Sequence, residues 1–408
     1  MDTSTLRTLS LRTAILASIG VTTLATQACD DASGTGGAGG ATATSGSSTS
    51  GKSSSSASGS TTSAGTTTAT TSTTTGSATA SSSTGGGMMD VERCFTPAML
   101  PCPEKGMAVA TFGECTANGE RVTTWISGPT EKQGQCCYQV DVTDPGDPAC
   151  GVVGRPLLVE AAPRRATVTS RANGWSARSL APRVADLSES ERLALARAWA
   201  EEAAFEHASV AAFSKTALEL IALGAPRDLV AACHRAALDE IDHASMGFAL
   251  ASAYSSAPVS PGALADATRA TFATNLVDLA VAAAREGCVG ETLAALVAGA
   301  QRDAATDPAV KSALLQIAAD EARHAELSYQ IVAWAIREGG ASVRDAVRAA
   351  FADAIAEERA RISAARRSAP RDGDVLSAHG RVGALTIAEE KARGLDEVVA
   401  PSMLALLG

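Results

Sequence analysis

Two Glu-x-x-His motifs carry the strongest chemical signal in the sequence. Glu240 and His243 stand in the string DEIDH, and Glu321 and His324 stand in the string DEARH. Residues three positions apart lie on one face of an α-helix, so each motif directs a carboxylate and an imidazole toward a common point. The chain contains 5 histidines, and two of them fall in this motif. The pair predicts a metal site between two helices.

Two further glutamates complete a ligand set. Glu206 precedes Glu240 by 34 residues, and Glu291 precedes Glu321 by 30 residues. Separations of this size let the two helices of an antiparallel hairpin meet at mid-height. The hairpin with Glu206 therefore repeats as the hairpin with Glu291. Four glutamates and two histidines predict one site for two metal ions, and this mixture of oxygen and nitrogen ligands favours iron or manganese.

Several neighbouring residues offer alternatives to these ligands. Glu286, 35 residues before the second motif, is the alternative to Glu291. Glu202 shares a helix face with Glu206, where it either supports the site or is solvated. His207 points about 100° away from Glu206 around the helix axis, so we expect it at an interface rather than on a metal ion.

The other histidines and the cysteines of the helical region are predicted to be structural. We expect Glu201, His234 and His379 at the surface. Cys233 and Cys288 are interpreted as small core residues, with a disulfide between them as the alternative in an oxidising compartment.

Two glycines stand beside Glu291 in the string REGCVGET. Gly287 and Gly290 remove side chains from the neighbourhood of the site and weaken a regular helix. They leave either room for a substrate or room for close helix packing.

The elements that must position these residues are long helices. The sequence after Ser188 is rich in Ala, Leu and Glu, which is typical of helices. Pro226 predicts the start of one helix, and Gly224 and Gly339 predict the ends of two others. Helices are predicted at 189–223, 226–255, 272–304, 307–338 and 342–368, with a weaker one at 384–406. Four long helices with one long central connection, at 256–271, predict a mainly α fold: a ferritin-like four-helix bundle with extra C-terminal helices.

Over residues 189–338 the pattern resembles the ferritin-like di-iron carboxylate superfamily. The resemblance implies two iron ions, with manganese or a mixed iron–manganese pair as the alternative, and reaction with O₂. DEARH is similar to the second motif of bacterial multicomponent monooxygenases, in which the Asp before the Glu orients a ligand histidine. That similarity assigns the same role to Asp239 and Asp320. DEIDH departs from the pattern, since Asp242 stands where Arg323 stands in DEARH.

The N-terminal region has the features of an export signal. Arg7 and Arg12 precede an uncharged stretch that ends at Ala28, directly before Cys29. The arrangement over 1–29 resembles a bacterial lipoprotein signal, in which this cysteine is lipidated; ordinary cleavage is the alternative. We expect an exported protein, anchored in a lipid bilayer through Cys29 and facing the periplasm or the cell surface. The Ser-, Thr- and Gly-rich segment 30–87 is predicted to be a disordered linker.

A small Cys-rich domain is predicted at 88–183, before the helical domain at 186–408. Its six cysteines predict three disulfides in a loop-rich unit, with pairing left open; they are Cys94, Cys102, Cys115, Cys136, Cys137 and Cys150. Strand patterns occur in RVTTWISGP and QCCYQVDV, and RPLLVEAAPRRATVTSR predicts a hairpin. Nothing in this domain indicates catalysis, so we expect an adhesion or spacer module.

The charge distribution restricts the function. The formal net charge is −10, and the chain from residue 186 onward contains 31 acidic and 21 basic residues. An acidic surface repels phosphate backbones, which excludes nucleic acid as a partner. The resemblance implies an O₂-dependent oxidase or oxygenase for a small substrate, supplied with electrons by a partner, with the six ligands forming its catalytic centre. A ferroxidase, iron-binding or peroxide-scavenging protein is the alternative, and a non-enzymatic metal-binding surface module is a third hypothesis.

Overall fold

The computed structural model is mainly helical over the residues that it describes. These are residues 2–21, 89–95, 102–105, 108, 122–132, 135–142, 154–160, 162–368 and 374–408. The predictions for Cys29, the linker at 30–87, Cys115 and Cys150 lie outside the described residues.

Seven helices are labelled here in chain order. They are α1 (Thr3–Ser18), α2 (Glu189–Ala222), α3 (Arg227–Ser255), α4 (Leu276–Ala282, continuing as a π-helix over Ala283–Glu291 and as an α-helix over Thr292–Ala304), α5 (Pro308–Ser368), α6 (Asp374–Ala378) and α7 (Ala384–Gly394, continuing over Leu395–Val399 and Ala400–Leu407). The predicted helices match these ranges closely, except that α4 begins later than expected and that α1 and α6 were not predicted as helices.

Local sequence signals explain the first long hairpin. The side chain of Ser188 accepts a hydrogen bond from the backbone of Glu191, and the Glu191 carboxylate accepts one from the backbone of Ser188, which caps α2. Gly224 follows α2 with a φ of 74°, a conformation that glycine adopts without strain. Because α3 begins at Arg227, the short connection places α2 and α3 side by side.

Helix α4 differs from the continuous helix predicted at 272–304. It begins at Leu276, where the side chain of Asn275 caps the first turn, and it changes to a π-helix over Ala283–Glu291. A π-helical turn contains an extra residue, so it changes the direction of the side chains that follow. This segment contains Glu291, Gly287 and Gly290.

Helix α5 comprises the two helices predicted at 307–338 and 342–368. They are joined across a kink at Gly340, with φ of 67° and ψ of −142°, one residue after the break predicted at Gly339. The weaker prediction at 384–406 agrees with α7.

The long connection between α3 and α4 is partly structured. Its residues Ser260–Pro261 form a short strand that pairs antiparallel with Val168–Thr169. The long connection predicted at 256–271 therefore pairs with a segment that precedes α2 in the sequence.

The small N-terminal sheet has three antiparallel strands in the order β1 (Met89–Phe95), β3 (Gln135–Val142), β2 (Val122–Lys132). Disulfides join Cys94 to Cys137 and Cys102 to Cys136. Two of the three predicted disulfides thus lie within the described residues. They indicate folding in an oxidising compartment.

The segment that follows the sheet packs against the helices. Leu157–Val159 (β4) and Ala162–Arg164 (β5) pair as an antiparallel hairpin, as predicted. Leu157 and Val159 are buried in an apolar cluster with Ala208 and Ala212 of α2. The hairpin thereby fixes the chain just before it, at Gly154 and Arg155, against α2.

Helix α1 also contacts the helical region. Leu11 and Ile15 are buried in the apolar cluster that includes residues of α4, α5 and α7. The hydroxyl of Ser4 donates to the Glu390 carboxylate at 2.7 Å. Within the described part of the chain, no helix is both long enough and apolar enough to cross a membrane.

Candidate metal centre

The two Glu-x-x-His motifs face each other across α3 and α5. Glu240 and His243 project from α3, and Glu321 and His324 project from α5. Each of the four side chains is at most 3% exposed. Burial of so many ionisable groups in one place is costly unless charge is compensated there. This is the arrangement that the spacing of the motifs predicts.

The other two predicted ligands complete two overlapping groups. One group contains Glu206, Glu240, His243 and Glu321, and the other contains Glu240, Glu291, Glu321 and His324. Within each group the nearest ligand atoms all lie within 4.8 Å of one another, so each group could hold a metal ion. Glu240 and Glu321 belong to both groups.

Unpartnered polar atoms support this interpretation. Buried atoms without a hydrogen-bond partner include Nδ1 of His243, Nδ1 of His324 and one carboxylate oxygen each of Glu240, Glu291 and Glu321. Buried polar atoms are nearly always satisfied in native proteins. Five such atoms in one cluster, all of them ligand atoms for a hard or borderline cation, fit a metal site.

Two aspartates orient the histidines, and they do so across the helix pair. Nε2 of His243 on α3 donates to Asp320 on α5 at 3.0 Å, and Nε2 of His324 on α5 donates to Asp239 on α3 at 3.2 Å. A carboxylate only accepts, so each Nε2 carries the proton and each Nδ1 faces the centre. Arg323 bonds both aspartates, at 2.6 Å to Asp320 and 3.1 Å to Asp239. The resemblance predicts this role for both aspartates, but each serves the histidine of the opposite helix.

Neighbouring charges shift the pKa values of the buried carboxylates in opposite directions. Burial and the neighbouring charges of Glu240 and Glu321 raise the pKa of Glu206 well above its usual value. Burial and the charge of Glu321 raise the pKa of Glu291 in the same way. Burial alone would raise the pKa of Glu321, but the neighbouring imidazoles of His243 and His324 lower it. The cluster holds more negative charge than its imidazoles balance, and a bound cation would relieve that excess.

An arginine that sequence reasoning missed lies next to the cluster. Arg155 is 2% exposed, and its Nε lies 3.4 Å from a carboxylate oxygen of Glu291. Its two terminal nitrogens donate to Thr216 of α2 at 3.1 Å and to Ser328 of α5 at 2.8 Å. Arg155 belongs to the segment that the sequence assigns to the Cys-rich domain, and no spacing rule connects it to the ligands.

The space that Gly287 and Gly290 create is occupied. A Cβ atom at Gly290 would lie 2.6 Å from the carbonyl oxygen of Gly154, and one at Gly287 would clash with the side chains of Arg155 and Ser328. Of the two interpretations of these glycines, close packing is therefore correct. The packed partners are Ser328 of α5 and the segment at Gly154 and Arg155, which lies outside the long helices.

The alternative ligands lie outside both groups. Glu286 is not a member of either group, whereas Glu291 belongs to the second one. His207 stacks edge-to-face on Trp175, with ring centroids 4.8 Å apart, which agrees with the interface prediction. Glu202 forms an ion pair with Arg381.

Of the residues predicted at the surface, Glu201 and His234 are exposed, as expected. The prediction for His379 was wrong. Its side chain is buried, and its Nδ1 pairs with the hydroxyl of Tyr254 at 2.8 Å. His379 follows directly after helix α6, which places it beside Tyr254. No pattern in the sequence indicates this contact.

The two cysteines of the helical region are free thiols. Cys233 and Cys288 are both buried and belong to the same apolar cluster, as core residues do. Cys233 donates to the carbonyl oxygen of Phe213 at 3.2 Å. The alternative of a disulfide between the two cysteines was wrong.

A surface pocket of about 360 Å³ reaches the α5 side of the centre. Charged side chains of Arg235, Asp239, Arg323 and Glu326 line it, and His324 forms part of its wall. The pocket connects the solvent with the Asp239–His324 pair.

Comparison of the chain with protein-family models, with curated proteins and with solved structures found no match.

Proposed function

We propose that the helical domain is a ferritin-like four-helix bundle, formed by α2 to α5, that binds two iron ions and uses them in an O₂-dependent oxidation. One observation carries the proposal: the two overlapping ligand groups share Glu240 and Glu321, so that two ions would be joined by common carboxylates. A mixed iron–manganese pair would fit the same ligands.

The donor chemistry supports redox-active metals over calcium or magnesium. Each group combines three carboxylates with one imidazole. Imidazole suits iron and carboxylates suit manganese, whereas calcium and magnesium prefer oxygen ligands alone. A pair of reduced iron ions, when bound, supplies the electrons that O₂ must accept.

The protein's own residues would perform three tasks in this site. Glu240 and Glu321 hold the two metal positions at a fixed separation. Asp239 and Asp320 fix the orientation and the tautomer of the two imidazoles, because each accepts the Nε2 proton. The buried surroundings limit the access of water to the ligands, although Glu206 is partly exposed and His324 lines the surface pocket.

Multiple turnovers would require an outside reductant. An oxygenase reaction places one oxygen atom of O₂ in the substrate and reduces the other to water, which consumes two electrons and two protons beyond those of the substrate. The pocket beside Asp239 and His324 offers a contact point for an electron donor of the exported compartment. We propose this donor as a partner of the protein.

Iron oxidation is the second candidate function, and one observation favours it. Gly154 and Arg155 fill the space beside Glu291 that a substrate would otherwise use. Glu206, with partial exposure, then offers a path for iron itself to enter as the substrate. In that case two ferrous ions give their electrons to O₂ or peroxide, and the ferric product leaves.

We also propose that the protein is exported and held at a membrane through Cys29. The two disulfides support an oxidising location. Treatment of spheroplasts with a protease, followed by detection of the helical domain, would test the export: loss of the domain while the inner membrane stays intact is the expected result.

Metal analysis tests the central proposal. We expect the full chain, reconstituted anaerobically with ferrous iron, to retain two iron ions, with near-ultraviolet absorption that appears with O₂ and bleaches on reduction. Glu240→Ala should lose both ions, since Glu240 belongs to both groups, whereas Glu201→Ala, an exposed glutamate of α2, should keep both. Less than half an equivalent of iron in the unaltered chain, unchanged by Glu240→Ala, would overturn the proposal.

O₂ consumption then separates the two functions. Turnover that requires an organic substrate and a reductant supports the oxygenase, whereas O₂ uptake in proportion to added ferrous iron alone supports the ferroxidase.

A further inference from the structure

We propose that Arg155 is a built-in counter-cation of the metal centre, which makes the two metal positions unequal. The inference rests on the proposed two-metal site. In it, the position formed with Glu206 and His243 binds its ion tightly and first, and the position formed with Glu291 and His324 binds its ion more weakly.

Arg155 reaches the centre from outside the four long helices. Its position is fixed on both sides: the hydroxyl of Ser209 on α2 donates to its carbonyl oxygen at 2.8 Å, and Leu157 is buried two residues later. The guanidinium carbon lies 4.6 Å from the centre of the Phe213 ring. A buried guanidinium requires acceptors, and it finds one charged acceptor in Glu291.

Helix α4 is shaped to receive this segment. Side chains at Gly287 or Gly290 would clash with Arg155 or with the backbone of Gly154. The π-helix over Ala283–Glu291 contains both glycines and ends at the ligand itself. The two glycines, the π-helix and the position of Arg155 are thus all consistent with the same contact. Such consistency is not expected of a chance contact.

The opposite metal position has no such partner. Both positions share Glu240 and Glu321 and add one histidine and one glutamate each. Among the described residues, no arginine or lysine forms an ion pair with Glu206, whereas Glu291 pairs with Arg155. The two positions therefore have the same ligand types but differ by one positive charge.

This difference fixes the order of binding. The guanidinium and a divalent cation stabilise the same carboxylate and repel each other, so each weakens the binding of the other. Arg155 bonds one oxygen of Glu291, while the second oxygen has no hydrogen-bond partner. Glu291 can thus offer the metal one oxygen while it keeps the arginine.

Calorimetric titration of the metal-free full chain with Mn²⁺ under anaerobic conditions tests the inference. We expect two binding events, the second weaker than the first by about tenfold or more. Arg155→Gln removes the charge, and it should strengthen the second event by about tenfold while the first stays the same. Arg155→Lys keeps the charge and should keep the difference in affinity between the two binding events. The matched control is Arg285→Gln, an arginine of the same π-helix whose partner is the exposed Glu357.

Ligand variants give a second, independent readout in a chain that retains Arg155. Glu206→Gln should abolish the tight event, and Glu291→Gln should leave it and abolish the weak one. Two equal binding events in the unaltered chain, or a second event that Arg155→Gln fails to strengthen, would overturn the inference and leave the metal site intact. Absence of any Mn²⁺ and Fe²⁺ binding to the unaltered chain would overturn the proposed function together with it.

Discussion

Asp239 of α3 and His324 of α5 lie on different helices, and 3.2 Å separates the carboxylate oxygen from Nε2 of the imidazole. Asp320 and His243 repeat the contact in the opposite direction at 3.0 Å. Each helix therefore provides a ligand and also orients the ligand of its partner. A shift of either helix would disturb both metal positions at once.

We expect Asp239→Asn to weaken metal binding by about tenfold to a hundredfold, as for other residues that orient ligands. The amide can still accept a hydrogen bond, but it removes the negative charge that stabilises the imidazole and that Arg323 balances. Competition between the protein and a chelator for Mn²⁺ measures the change.

Asp242→Asn is the matched control for that variant. Asp242 stands one turn from Asp239 on α3, and its half-exposed side chain is paired with Arg178. Its substitution should change the Mn²⁺ affinity of the unaltered chain by about twofold or less. This is well below the tenfold change that corresponds to 1.4 kcal/mol. Equal losses in the two variants would mean that the aspartate acts through net charge rather than through its contact with His324.

The ligand pattern was predictable because it is local and repeated. Spacing of three residues places Glu240 and His243 on one face, and the second hairpin repeats the arrangement of the first. The pairing of Asp239 and Asp320 with opposite histidines was only partly predictable, since the resemblance indicates the role and not the partner.

Arg155 was beyond sequence reasoning for a physical reason. Its contacts with Glu291 and Ser328 span 136 and 173 residues, and they form only when β4 docks on α2. The buried position of His379 likewise depends on a tertiary contact, with Tyr254, that leaves no periodic signal.

Docking of the segment before α2 can be tested through its apolar anchor. Leu157 is 1% exposed and packs against Ala208 and Ala212 of α2. We expect Leu157→Ala to reduce the free energy of unfolding by about 2–4 kcal/mol through the cavity that it leaves. Urea denaturation followed by circular dichroism measures the loss.

Leu193→Ala provides the comparison, because Leu193 lies near the start of α2 with half of its surface exposed. It should change the free energy of unfolding by about 0.5 kcal/mol or less. A similar small effect for Leu157→Ala would show that the hairpin contributes nothing to the stability of the helical domain.

The free thiols of Cys233 and Cys288 should resist modification in the folded protein. Burial raises the pKa of Cys233 to about 11, and burial also raises the pKa of Cys288 well above its usual value. Since the thiolate is the reactive form, neither should react with iodoacetamide at pH 8 until denaturant is added. Peptide mass mapping before and after unfolding distinguishes these two thiols from other cysteines. Rapid labelling of either thiol in the native chain would contradict the buried placement.

A buried ion pair between α5 and α7 should give the helical domain a defined response to acid. Nζ of Lys391 lies 2.7 Å from one carboxylate oxygen of Glu358, and Arg361 lies 3.1 Å from the other. Burial alone would raise the pKa of Glu358, but these two cations lower it. A lowered pKa stabilises the fold above the unfolded pKa of about 4.3, and this contribution is lost as the pH falls through the folded value.

We therefore expect Glu358→Gln to reduce the free energy of unfolding by about 2 kcal/mol near pH 7, where the charged hydrogen bonds are complete. The difference from the unaltered chain should shrink as the pH falls below about 4, because both chains then carry an uncharged group at this position. Glu357→Gln is the matched control, since Glu357 is the neighbouring residue and its half-exposed side chain pairs with Arg285 at the surface. It should change stability by less than about 1 kcal/mol at any pH, as surface ion pairs do. A loss for Glu358→Gln that stays constant from pH 3 to pH 7 would show that the carboxylate's shape, and not its charge, stabilises the contact between α5 and α7.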